Sequence, residues 1–182
     1  MKIIQSKIIK STLALAVLIL ALACKKEEVA APTSFFTVDG ASKNLKTAAL
    51  TYVANAGTSG TGKTYYRNEF LLLSEGFTLS GYKAVGKGDA IDLFISGFSQ
   101  KLDEGTYTFT GTSNNPEPLQ ISNATIYLNY DSATQVGDQL TFTALSMTVI
   151  KLGDTYTIKI TGTAGGKAIA GQYMGNVITT LK

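Results

Sequence analysis

From residue 34 to the C-terminus, apolar and polar residues alternate with a period of two. That is the signature of strands with one face buried. Phe35 to Val38 and Leu45 to Val53 read as the first strands. Phe70 to Leu73 and Phe77 to Leu79 follow, with Gly76 predicting a bend between them. Ile91, Leu93 and Ile95 alternate with Asp92, Phe94 and Ser96, and Tyr107 and Phe109 alternate with threonines. Ile126, Leu128 and Tyr130 predict one face of the next strand. In the strand after it the apolar phase moves from Leu140, Phe142 and Ala144 to Leu145, Met147 and Val149. A one-residue shift of phase inside a strand predicts a β-bulge. Tyr156, Ile158 and Ile160 mark a further strand, and Ile169, Gly171, Tyr173, Gly175 and Val177 mark the last.

Gly153-Asp154 and Gly165-Gly166 suit tight hairpin turns, because these residues tolerate positive φ. They predict that the last three strands form a meander. Asn114 to Pro118 reads as a loop, since neither Pro can donate to a ladder. Nothing after residue 34 offers a long, capped helical stripe. The expectation is an all-β domain over residues 34–182, an antiparallel sandwich of nine or ten strands, with a lipocalin-like barrel as the alternative.

The N-terminus follows another pattern. Lys2, Lys7 and Lys10 precede an apolar run from Ser11 to Ala23 of 13 residues. A membrane-spanning helix needs about 20. The run matches the helical apolar core of a signal peptide, so residues 1–23 are expected to be one. Its end, Leu20-Ala21-Leu22-Ala23-Cys24, resembles the lipobox of bacterial lipoproteins, with Ala21 where the common form has Leu. The resemblance implies cleavage between Ala23 and Cys24, a diacylglyceryl thioether on Cys24 and acylation of the new amine. Cys24 is the single Cys of the chain and has no disulfide partner. One acyl chain anchors only marginally, whereas two or more hold a protein at a membrane. Residues 24–33 are then expected to form a tether, and the stretch from Cys24 to Ser34 can reach about 30 Å at most, at ~3.3 Å per residue. Lys25, following the Cys, argues by resemblance to sorting rules for the outer membrane. Lys25-Lys26-Glu27-Glu28 resembles a surface-export tag, and a plain solvated tether is the other reading.

Composition matters here in one respect. The chain has 16 basic and 13 acidic residues, and the three signal lysines leave 16 − 3 = 13 against 13 after cleavage. A neutral mature chain offers no basic footprint for nucleic acid. Three segments, Phe36-Thr37-Val38-Asp39-Gly40, Glu104-Gly105-Thr106-Tyr107-Thr108-Phe109 and Gly171-Gln172-Tyr173-Met174-Gly175, resemble a group of uncharacterised surface lipoproteins of Gram-negative bacteria. That resemblance implies a β-sandwich-like domain and brings no catalytic residues.

Candidate chemistry is sparse. Gly57 to Thr64 satisfies the phosphate-loop pattern, in which Lys63 reaches phosphates and Thr64 holds Mg²⁺. That chemistry needs a helix starting at the Lys and a parallel α/β sheet around it. Neither is predicted, so the segment reads as a loop between strands. The chain has no His, which removes a Ser-His-Asp triad and an imidazole metal cluster. Asp89, Asp92, Asp103, Glu104 and Glu117 remain as candidate acids, expected mostly in turns, with Ca²⁺ held by loop oxygens as their other use. Of the nine tyrosines, Tyr107, Tyr130, Tyr156 and Tyr173 are assigned to the core, and Tyr65, Tyr66, Tyr82 and Tyr127 to exposed positions.

These readings converge on a lipid-anchored, non-enzymatic accessory module that binds a glycan, a small apolar ligand or a protein, with no catalytic residues, cofactor or metal. A structural envelope protein is the second reading and a carboxylate-dependent hydrolase the third. Exposed tyrosines gathered on one sheet face favour the first, and two facing acids in a cleft favour the third.

Overall fold

The computed structural model describes residues 34–111 and 117–181. The signal peptide, the Ala23–Cys24 cleavage point and the tether lie outside the described residues, as do Asn114, Asn115 and Pro116 of the predicted loop.

Twelve strands follow one another: β1 (Phe35–Val38), β2 (Ala41–Asn44), β3 (Thr47–Thr58), β4 (Thr64–Leu73), β5 (Phe77–Ser80), β6 (Lys83–Gly97), β7 (Gly105–Phe109), β8 (Gln120–Asp131), β9 (Val136–Leu152), β10 (Thr155–Ala164), β11 (Lys167–Gly175) and β12 (Val177–Leu181). They form a single curled sheet, a half-barrel, in the order β12-β3-β4-β6-β8-β7-β9-β10-β11-β1-β2, with β5 pairing β6 off this path. The all-β expectation holds.

The expectation of a purely antiparallel arrangement does not. β7 runs parallel to β8 at Thr108 and Phe109, and β12 runs parallel to β3 from Val177 to Leu181. The predicted last strand is in fact two. The chain leaves the sheet at Asn176, and Val177 opens β12 on the far edge beside Ala48. Period-2 alternation persists across such a break, because it reports which face is buried and not which neighbour is paired.

The meander of β9, β10 and β11 forms around the two predicted glycine turns. The predicted bulge is present. Thr163 pairs with Ala144 and Ala164 with Phe142, leaving Thr143 as the extra residue. That shift keeps Phe142, Leu145, Met147 and Val149 all inside.

The concave face is filled. Phe36, Phe70, Tyr107, Ile126, Met147 and Ile158 are fully buried there with many smaller residues. Each such side chain contributes about 1.5–3 kcal/mol on leaving water. Phe70 to Leu73 are buried on both faces of β4. Phe70 and Leu72 join the main core, and Leu71 and Leu73 join a second cluster on the opposite face with Ala49, Phe77 and Ala90. This outer cluster distinguishes β4, β6 and β8 from the Thr- and Lys-studded outer face of β10.

Candidate functional site

The outer cluster floors a cleft of about 470 Å³. Leu71 and Leu73 of β4 and Ala90 of β6 form its base. Strand register places Asp92 beside Leu71, and Tyr127 beside Ala90. Glu69 pairs with Phe94, so it stands diagonally from Asp92 on the same face. Diagonal neighbours on an antiparallel pair lie roughly 7–8 Å apart.

A hairpin of β5 and the first part of β6 arches over this floor and supplies Phe77, Tyr82 and Lys83. Its base is a close backbone crossing. A Cβ on Gly86 would collide with the carbonyl of Gly76, and one on Gly76 with the carbonyl of Lys87. Only glycine allows such an approach. The crossing is fastened by Lys87 N–H donating to the Gly76 carbonyl (3.1 Å) and Ser132 N–H donating to the Gly86 carbonyl (2.9 Å).

Opposite the hairpin, β8 contributes two tyrosines that strict alternation would separate. Asn129 takes φ of +49°, and the register with β9 shifts between Leu128 and Asp131. Tyr127 and Tyr130, three residues apart, therefore share the cleft face, while Leu128 packs on the main core. Their ring centroids are 4.8 Å apart with planes tilted by 53°. The assignment of Tyr130 to the core is thus corrected: an αL residue inserted into a strand flips the parity that alternation assumes. Tyr107, Tyr156 and Tyr173 are buried as expected. Tyr65 is buried, contrary to expectation, under Gly57 and against Arg67. Tyr66, Tyr82 and Tyr127 are half-exposed, and only the last two line the cleft.

Asp92 is the singular group of the site. It lies within β6 and not at a strand start, which corrects its expected turn environment. Its Oδ1 is buried without a hydrogen-bond partner among the described residues. Burial first, and the neighbouring Glu69 charge second, push its carboxyl up to about 7. A carboxyl in a poorly solvated wall favours the neutral form. Burial likewise raises the Tyr127 phenol, with the Asp92 charge adding to it.

The other candidate acids hold the fold together. Asp89 Oδ1 accepts from Asn129 N–H (2.8 Å) and Oδ2 meets Lys43 Nζ at 3.5 Å. Asp103 accepts from the N–H groups of Phe98 and Ser99 and from the Ser99 hydroxyl. Glu104 accepts from Lys151 N–H (2.8 Å). Glu117 accepts from the hydroxyl and N–H of Thr61.

That last contact also disposes of the phosphate-loop pattern. Gly57 to Thr64 is a hairpin between β3 and β4, closed by Ser59 N–H donating to the Lys63 carbonyl (2.7 Å) and Lys63 N–H donating to Ser59 Oγ (2.9 Å). No helix begins at Lys63, and the anion met by the loop is the chain's own Glu117. Among the described residues no three acids or cysteines gather to hold a metal ion.

Glu69 was not among the candidate acids, because the run Tyr65 to Leu73 lacks clear alternation. Its parity with Arg67 and Leu71, opposite to Asn68 and Phe70, is the signal that places it on the outer face. No family model, curated protein or solved structure matches the chain.

Proposed function

We propose that this chain is a non-enzymatic binding module, lipid-anchored through Cys24 at the outer membrane or cell surface, that takes a small ligand in the cleft over β4, β6 and β8. The observation that carries the binding part is the cleft itself. It joins an apolar floor, four aromatic walls and a carboxylate pair on the side of the sheet that does not form the main core. Most ligand sites combine such a concave apolar surface with a few placed polar groups. A filled concave face argues that the ligand sits outside the curl and not within it, as it does in lipocalins.

The anchor reading rests on the export signal and the solitary Cys24. A surface corner is consistent with it. Ser34 is fastened to β11, its Oγ accepting from Met174 N–H at 2.9 Å, where the tether would enter. Beside it Met174, Ile150 and Leu152 are exposed. Ile150 and Met174 flank Thr157 in one row across the sheet, which suits a lipid surface held close by.

Within the all-β class we read the half-barrel as an open barrel in preference to a sandwich. The ladder runs unbroken from β12 to β2, and Lys43 of β2 reaches across to Asp89 of β6.

A second reading has one observation in its favour. Asp92 holding a proton beside Glu69 is the pairing that a carboxylate-dependent hydrolase uses as acid and base. Thermal-shift screening of the purified protein against glycans, amines and lipids tests the first reading, since a ligand of the native state raises Tm. A ligand is expected whose shift disappears in Leu71→Arg. Turnover of chromogenic glycosides, lost in Glu69→Gln and Asp92→Asn, would put the hydrolase in its place. Labelling with a fatty-acid analogue, lost in Cys24→Ala, tests the anchor.

A further inference from the structure

We propose that the cleft selects a ligand bearing a protonated amine on an apolar or aromatic body, its ammonium donating to the Asp92 carboxylate next to Glu69 and its body lying against Tyr127, Tyr130 and Phe77. The inference rests on the reading that the cleft binds a small ligand, and adds the class of that ligand.

Asp92 is short of hydrogen-bond donors. Its Oδ1 has no donor among the described residues, and the carboxyl borders a cavity large enough for a small organic molecule. The torsion that exchanges the two oxygens of an Asp is broad and two-fold, so either oxygen can be presented. A buried acceptor left without a donor is a cost that a donating ligand removes.

The charges around it decide the sign of the ligand. Glu69 faces Asp92 from β4, and its negative charge opposes ionisation of Asp92. Tyr127 faces it from β8 and is held neutral. From the hairpin comes Lys83, whose Nζ stands over the Tyr82 ring, 5.7 Å from its centre. Asp92 itself makes no ion pair among the described residues. A hydroxylated neutral ligand could donate to Asp92 but would do nothing to favour its ionised form, which burial and the Glu69 charge oppose. A cation favours that form.

The walls agree with that choice. Tyr127 and Tyr130 line the same cleft as Asp92, and aromatic rings attract cations as well as apolar groups. A bare metal ion is a poor occupant, because among the described residues no third acid joins Glu69 and Asp92.

Titration calorimetry of the intact protein with 2-phenylethylammonium and, as its neutral counterpart, 2-phenylethanol tests the proposal, with glucose and N-acetylglucosamine as glycan arms. The amine is expected to bind at least tenfold tighter than the alcohol. Its affinity is expected to rise about tenfold from pH 6 to pH 8, as Asp92 loses its proton while the amine keeps its own. Asp92→Asn should abolish that rise and weaken the amine without weakening the alcohol, and Glu69→Gln should weaken the amine less. Equal binding of amine and alcohol, or amine binding indifferent to pH and to Asp92→Asn, would overturn the amine class. A glycan that binds in its stead, and is lost in Leu71→Arg, would overturn the amine while leaving the binding module standing. Absence of binding by every arm would sink both.

Discussion

Tyr107 binds Asp103 twice through the backbone: its hydroxyl accepts from the Asp103 N–H at 3.1 Å and donates to the Asp103 carbonyl at 3.2 Å. The ring is fully buried, so one side chain ties the loop before β7 to the core. This is a local bond of the tyrosine-corner type, in which a phenol fastens a crossing to main chain a few residues upstream. Tyr107→Phe keeps the ring and strands a backbone N–H. It is expected to cost about 1–3 kcal/mol, read from urea midpoints at an unchanged slope.

Thr61 and Glu117 make a second pinned loop, whose pH response has a definite sign. The Thr61 hydroxyl holds the Glu117 carboxyl below its ordinary range. A depressed acid contributes stability above its unfolded pKa and loses it as pH falls through the folded value. Thermal melts between pH 5 and pH 3 should therefore fall less steeply in Thr61→Val than in the parent. Lys63→Ala in the same hairpin removes only the weakest of the influences that hold Glu117 down, and should change the fall less than Thr61→Val does.

Asp92 works the other way. Its carboxyl is raised from 3.8 to about 7, so the folded chain binds the extra proton between those values. Stability from this site is full below pH 4 and declines as pH rises to about 7. Asp92→Asn removes the decline. The variant is expected to melt above the parent at pH 8 and near it at pH 4; a parent that loses nothing from this site over that interval would contradict the assignment.

Gly86→Ala tests the hairpin over the cleft. A methyl there meets the Gly76 carbonyl in a backbone that also carries φ of +131°. The substitution should cost roughly 1–3 kcal/mol and lift β5 from the sheet. Faster hydrogen exchange of Phe77 to Ser80, with β10 and β11 unaffected, is the expected reading.

The parts legible from the residues were those governed by local pattern. Alternation located most strands, the shift after Ala144 located a bulge, and glycine pairs located the meander turns. What escaped were partners. Nothing in Val177 to Leu181 announces a parallel pairing with β3, because parity is identical for either neighbour. Tyr130 escaped because Asn129 in αL looks like any strand residue in a sequence. Asp92 was visible as an acid among apolar residues, but its isolation depends on which donors the fold spends on Asp89, Asp103, Glu104 and Glu117.

The two ends of the described domain are stitched to each other: β11 pairs with β1, and β12 with β3. Both pairings join residues far apart in the chain, so neither can form until β11 and β12 have been made. Loop closure over such distances is slow. A chain emerging N-terminus first would keep β1 and β3 without these partners until β11 and β12 arrive. The order of strands in this sheet prolongs that unfinished condition, which is the one a chain needs if it is to thread a narrow channel.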